Sequence, residues 1–255
     1  KAKLVAIPST SGTASEITAF SVITDTKKHI KYPLVSTEMI PDIAILDPAL
    51  PAKMPKHITA NTGMDVLAHA IEAYVSTAAS PYTDALAIQA IKLVLENIVT
   101  AYEHGDNMEA RNNMHNASAL AGMAFTNASL GLIHSLAHKI GGEFGITHGL
   151  TNAILLPYII QFNRKSTDKV SKLEKDLGIE NLSSCIKELN EKLDIPFNFK
   201  DVTEVDMNED KFKEVLVRMS ENAYNDPCTA TNPRESDPKI VEMIYTSAYY
   251  GKDID

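Results

Sequence analysis

Apolar and polar positions change rhythm once along this chain of 255 residues. Up to about residue 50, short apolar runs alternate with turn clusters: LVAIP (4–8) closed by a proline, then FSVIT (20–24) and IAIL (43–46). Runs of that length, rich in β-branched residues and bounded by turn formers, predict strands. Between the first two lies STSGTASE (9–16), a small-polar cluster with one glycine, the composition of a loop that comes close to a ligand. Asp47, Pro48, Pro51 and Pro55 then punctuate the chain, and a boundary is expected near residue 50. Beyond it the period becomes helical. Residues 57–77, 83–103 and 107–126 are long, alanine-rich and free of proline. A further helix over 130–141 is expected to be ended by Gly141, Gly142 and Gly145, which would turn the chain. Residues 151–163, 168–176, 181–192, 208–223 and 238–249 also read as helices, with Pro227, Pro233 and Pro238 marking the last loop. The pattern predicts a mainly α fold: a strand-rich lead over 1–50 and a helical body over 51–255.

Composition narrows the partners. Hydrophobic residues make up 44% and charged residues 22%, the usual balance of a globular protein. No uncharged apolar run reaches the ~18 residues of a membrane span, so none is predicted. The opening KAKLVAIPST is basic and then apolar, but too short for a signal peptide and closed by turn residues; a strand is the better reading. The net charge of −9 is spread along the chain with no basic block, which argues against nucleic acid or an anionic membrane as partner. Cys185 and Cys228 fit neither a disulfide framework nor a paired-cysteine metal site, and a reducing cytoplasm follows. The chain begins at a core-like strand without a starting methionine, so it is expected to be a piece of a longer polypeptide.

Asp65 and His69 are one helical turn apart and share a face; His134 and His138 repeat that spacing, and His148 follows in GITHG. A carboxylate and imidazoles brought from several elements are an ordinary way to hold a first-row divalent metal. An Asp/His pair on an alanine-rich helix is as often a plain hydrogen bond. The neighbours Met64, Val66, Ala68, Ile133, Leu136, Phe144 and Ile146 predict burial, and a buried ionisable group needs a partner. His29, His57, His104 and His115 read as surface residues, Glu72 as a solvated or helix-pairing carboxylate, and Cys228 as a neutral thiol.

Taken together, GMDVLAHAIE (63–72), GLIHSLAHKIGGEFGITHG (131–149), STSGTASE (9–16) and NPR (232–234) resemble the iron-containing, group III metal-dependent alcohol dehydrogenase family in order and separation. The resemblance implies the helical C-terminal domain of the fold shared with dehydroquinate synthase, preceded by the tail of an α/β cofactor-binding domain. It places Asp65, His69, His134 and His148 on the family's metal ligands and His138 on the histidine beside the metal. Ser9, Thr10 and Thr13 match the loop that contacts the nicotinamide cofactor, with Ser9 where threonine is more usual. Lys31 matches a cofactor-contacting lysine, and Leu46 a position lining the cofactor cleft. The glycine-serine loop that holds the cofactor diphosphate in this family has no counterpart in these residues.

The activity so implied is hydride transfer between a primary alcohol or diol, or the matching aldehyde, and a nicotinamide cofactor, with a divalent metal polarising the substrate oxygen. Fe2+ is the expected metal with Zn2+ the alternative, and NAD the expected cofactor with NADP the alternative. His138 is the expected proton relay; the plainer role is packing beside the ligands. A homodimer or a place in a longer polypeptide is expected. Two other readings stand beside this one: a non-catalytic helical metal-binding module, and a lyase like dehydroquinate synthase. Lys139 is the only basic residue in the two ligand segments, too few for that lyase's phosphorylated substrate.

Overall fold

The change of rhythm near residue 50 is a change of secondary structure. The computed structural model describes residues 3–25 and 30–254, apart from the side chains of residues 22, 24, 25 and 30–33. Strand β1 (Val5–Ala6) pairs in parallel with β4 (Ile43–Ala44), Val5 opposite Ile43. Strands β2 (Phe20–Asp25) and β3 (Ile30–Val35) form an antiparallel hairpin with Phe20 opposite Val35. β3 is not among the strands the apolar runs predict, and it contains Pro33. Proline lacks the N–H that a central strand must donate, yet β3 pairs only with β2 and can carry it.

Helices α1 (Lys56–Val75), α2 (Pro81–Glu103), α3 (Met108–Ala128), α4 (Leu132–Phe144), α5 (His148–Arg164), α6 (Lys169–Leu177), α7 (Leu182–Lys192), α8 (Glu209–Tyr224) and α9 (Pro238–Tyr250) follow. Their starts are chemically marked. Ser80 and Thr83 form a reciprocal capping box before α2, and Asn107, Asn181, Asn208 and Asp237 each accept a first-turn N–H. α4 runs through Gly141 and Gly142, against expectation, and stops at Gly145, whose φ of 78° is the left-handed cap. Gly141 permits close approach instead: a Cβ there would lie 3.2 Å from the Ile146 carbonyl oxygen.

By packing, the chain divides into two compact units, Lys1–Tyr74 with Ala78–Ser129, and Val75–Thr77 with Leu130–Asp255. The division near residue 50 follows secondary-structure type; the units follow the packing of the backbone in space. In the first unit the lead packs on its own helices. A Cβ on Gly12 would meet Thr62 Cβ at 2.8 Å, and a Cβ on Gly122 of α3 would meet Ala14 Cβ at 2.4 Å and Ile17 Cδ1 at 3.0 Å. Gly63, at the head of GMDVLAHAIE, lets α1 close on Ile98 and Met114. α2 has the length and hydropathy of a membrane-crossing helix, but Ala87, Ala90, Ile91, Val94 and Ile98 are buried.

Ala14 holds a positive φ of 51°, so the Ala14–Gly122 contact is backbone against backbone with one methyl between. We expect Gly122→Ala to destabilise the protein by about 1–3 kcal/mol, because neither methyl can rotate away. Thermal unfolding measures this. Adding Ala14→Gly should restore stability, since it removes the opposing methyl and relaxes the positive φ; a double variant no better than the single one would refute the account.

α5 is the buried helix of the second unit. Pro157 inside it cannot donate to the Ala153 carbonyl, and Asn190 Nδ2 of α7 donates there instead at 2.9 Å. Ser183 Oγ donates to the Pro157 carbonyl at 3.0 Å.

Candidate metal centre

In the first unit α1 presents Asp65 and His69 on one face, with His69 Nδ1 3.9 Å from Asp65 Oδ2. Both are buried, at 3% and 5% exposure. Phe125 of α3 stacks on the His69 ring, centroids 4.4 Å apart and planes 19° from parallel, which limits the ring to one orientation. Met64, Val66 and Ala68 around them are fully buried, as the pattern predicts. Glu72 is also buried, and the solvated reading of it is wrong: its face of α1 turns inward like that of Asp65.

In the second unit α4 carries His134 and His138. His148 is the first residue of α5, which starts three residues earlier than the sequence predicts, with Thr147 as N-cap. That helical start puts Asn152 one turn beyond His148 on the same face. Asn152 Nδ2 lies 3.2 Å from His134 Nε2 and 3.2 Å from His148 Nε2. Two imidazole nitrogens thus approach one atom from different helices. An amide NH2 can serve both through their lone pairs, and lone pairs are what a metal requires of a histidine. The His134 and His148 centroids are 5.3 Å apart. Asn152 escapes a reading that starts the helix at 151; the signal is the i, i+4 spacing in HGLTN.

His138 stacks on His148, centroids 5.6 Å apart and planes 11° from parallel. Its Nδ1 is 3.2 Å from Asp226 Oδ2, and Lys139 Nζ donates to the same oxygen at 2.7 Å. The Asp226 side chain has no exposure to solvent. Burial by itself would raise its pKa, but the contacts with His138 and Lys139 outweigh it and hold the carboxyl well below the usual carboxylate range. Asp226 Oδ1 accepts the Cys228 N–H at 3.0 Å and caps the 3-10 turn Pro227–Thr231. Cys228 is buried, with a ligand atom within 4.8 Å of those of His138 and Asp226. Lys139 already neutralises that carboxylate, so the trio reads as a charge-paired cluster. Asp226 too was hidden, since an aspartate before proline reads simply as a turn start.

NPR has a structural explanation. Asn232 and Asn163 exchange amide hydrogen bonds at 2.8 and 3.0 Å, while Asn232 Nδ2 also donates to the Arg234 carbonyl at 2.8 Å. Arg234 donates to the Phe162 carbonyl at 2.8 Å and lies over the Phe162 ring. These contacts fasten the loop that carries Asp226 to α5.

The residues matched to cofactor contacts all belong to the first unit. Ser9 and Thr10 follow β1, and Leu46 follows β4. They therefore leave the carboxyl ends of two adjacent parallel strands, the end at which α/β sheets receive ligands. Ser9 and Thr13 are exposed, and Thr10 and Leu46 half-buried. Lys31 pairs with Thr24 in the hairpin, but its side chain lies outside the described residues, as does His29. The loop itself is anchored by Ser11 Oγ, 2.9 Å from His115 Nδ1. His115 is buried at 1% exposure, correcting the surface reading; burial pushes its pKa down, against the pull of Asp47. Its polar sequence neighbours lie on other faces of α3. His57 and His104 are exposed, as expected.

Each unit by itself carries donors of the kind a divalent metal takes: a buried carboxylate and imidazole one turn apart in the first, and two imidazoles whose Nε2 atoms both approach Asn152 in the second. Comparison with known proteins points the same way. Residues 59–249 match the family described as Fe-containing alcohol dehydrogenase, C-terminal, and residues 1–48 match the family described as iron-containing alcohol dehydrogenase. An NADPH-dependent butanol dehydrogenase of Clostridium saccharobutylicum is 49% identical over 265 aligned positions, covering 100% of this chain and 67% of that protein. An aldehyde-alcohol dehydrogenase of Streptococcus pneumoniae is 43% identical, covering 98% of this chain and 31% of that protein. The solved iron-containing alcohol dehydrogenase of Thermococcus thioreducens superposes with a TM-score of 0.90 at 39% identity, over 98% of this chain and 65% of that one. The chain thus spans about two thirds of the shorter relatives and about one third of the longer.

Proposed function

Because the chain belongs to the iron-containing alcohol dehydrogenase family, we propose that Asp65, His69, His134 and His148 hold one divalent metal and that the whole protein interconverts short primary alcohols or diols and their aldehydes with a nicotinamide cofactor. The observation that carries the metal assignment is the approach of the His134 and His148 Nε2 atoms to one point beside Asn152. Fe2+ is the metal the family name supports, and Zn2+ is the alternative the same donors accept. Such a metal, when bound, supplies Lewis acidity at an alcohol or carbonyl oxygen.

The other residues have separable tasks. Ser9, Thr10, Thr13 and Leu46, from the carboxyl ends of β1 and β4, are proposed to line the cofactor cleft, with Lys31 reaching the same ligand. On this reading residues 1–50 are the tail of a cofactor-binding domain and 51–255 the metal-binding body. NAD is the cofactor read from sequence; the Clostridium relative is named for NADPH, and an assay with both separates them. His138 moves the proton: as imidazolium it gives one to the substrate oxygen during aldehyde reduction and is left neutral, and the neutral ring takes one back during alcohol oxidation. The partners proposed are a small alcohol or aldehyde and a second copy of the chain in a cytoplasmic homodimer, with no role for nucleic acid or membrane.

The test is aldehyde reduction by the purified metal-loaded protein, with butanal as substrate and NADH or NADPH as donor. Turnover should fall by about 10²–10⁴ in His138→Ala, the usual contribution of a positioned acid or base, with metal content unchanged. Loss of metal in that variant would make His138 a ligand, and full turnover would leave it a packing residue. No reduction of any short aldehyde by the unsubstituted metal-loaded protein would overturn the function itself.

A further inference from the structure

The proton-moving role given to His138 leaves open what decides which of its nitrogens works. Asp226 answers this. Its carboxylate is wholly buried, and its two oxygens are divided between two tasks: Oδ1 caps the turn at Cys228, and Oδ2 receives His138 Nδ1 and Lys139 Nζ. An ionised carboxylate only accepts hydrogen bonds, so the proton of the 3.2 Å contact sits on Nδ1. A neutral ring protonated there leaves Nε2 as its lone-pair nitrogen. The ring is held on two sides, by Asp226 at Nδ1 and by the stacked His148 ring across its face.

We propose that Asp226 is a positioning residue for the reaction, fixing His138 as the Nδ1–H tautomer so that Nε2 is the atom that exchanges protons with substrate. Lys139 balances the carboxylate and lets it remain ionised without solvent. The assignment rests on the proton role proposed for His138, but the tautomer can be observed without turnover. The carboxylate also caps a turn, so a purely structural role is the rival account.

Two measurements decide between them. The first is ring ¹⁵N NMR of the histidines, recorded about two pH units above the ordinary histidine pKa of about 6.5. His138 should show the Nδ1–H tautomer, shifting toward Nε2–H in Asp226→Ala. Asp226→Ser guards against misfolding: serine can still cap the turn but is too short to reach the ring. An Nε2–H ring in the unsubstituted protein would overturn the assignment, as would a ring indifferent to both substitutions. The second is a kinetic cycle in the metal-loaded protein. Asp226→Ser should lower kcat about 10- to 100-fold with KM and metal content little changed. In a His138→Ala background it should cost nothing further. An equal loss in that background would make Asp226 structural. If His138→Ala alone has no effect on kcat, the proton role of His138 fails, and the positioning role fails with it even where the tautomer stands.

Discussion

Replacing His134 and His148 together with alanine is expected to abolish metal binding: from about one metal per chain after anaerobic purification to below about a tenth, with turnover lost in step. The two rings supply the Nε2 atoms that converge beside Asn152, each at 3.2 Å. Their removal leaves Asp65 and His69, too few donors for a site that must strip water from the ion. Elemental analysis of the unsubstituted protein identifies iron or zinc at the same time. His138→Ala is the control, since its Nδ1 is engaged by Asp226, and it should keep its metal. Full metal retention by the double variant, with its helical content intact, would show that the ligands lie elsewhere.

Arg111→Ala should be the most destabilising single substitution in the first unit, by about 3 kcal/mol or more. Arg111 is 2% exposed. Its Nε donates to the Gly105 carbonyl at 2.9 Å, one terminal nitrogen to Thr59 Oγ1 at 2.8 Å, and the other to the Met54 carbonyl at 3.4 Å. One guanidinium thus ties together the α2–α3 turn, the first turn of α1 and the segment before it. Alanine removes a large, fully buried side chain and leaves Thr59 Oγ1 and the half-buried carbonyls of Gly105 and Met54 without that partner, which is dearer than the bonds themselves. Equilibrium urea unfolding should show a midpoint lower by about 1 M or more, given slopes of about 1–3 kcal/mol per M. A shift within error would mean water replaces the guanidinium at little cost.

Much of this was legible in the sequence because helices announce themselves. Alanine-rich runs and Ser, Asn or Asp caps locate α2, α3, α8 and α9 to within a few residues, since both signals are local. What was not legible depended on contacts distant in sequence. Gly141 and Gly142 read as helix breakers, yet the reason for Gly141 is the chain returning at Ile146. The next helix was read from 151, leaving His148 between the glycine turn and its start, which hid its partnership with Asn152. His115 looks like a surface residue among polar neighbours, and only the loop at Ser11 makes it internal. Asp226 is 88 residues from His138, and no local pattern announces a partnership across that separation. β3 was not read as a strand; it carries Pro33, a residue that disfavours a central strand and permits an edge.

The proline in α5 has a consequence for how the second unit assembles. A helix whose own ladder is complete can form before it docks. α5 cannot be complete in that way: the carbonyl of Ala153 is satisfied only when Asn190 arrives from α7, 37 residues later in the chain. The first residue of α5 is His148, which therefore belongs to a helix whose hydrogen bonding is completed from α7. Metal affinity in this half is therefore not a property of the HGLTN segment alone. A peptide spanning α4 and α5 would carry His134, His148 and Asn152 and still lack the amide that completes α5.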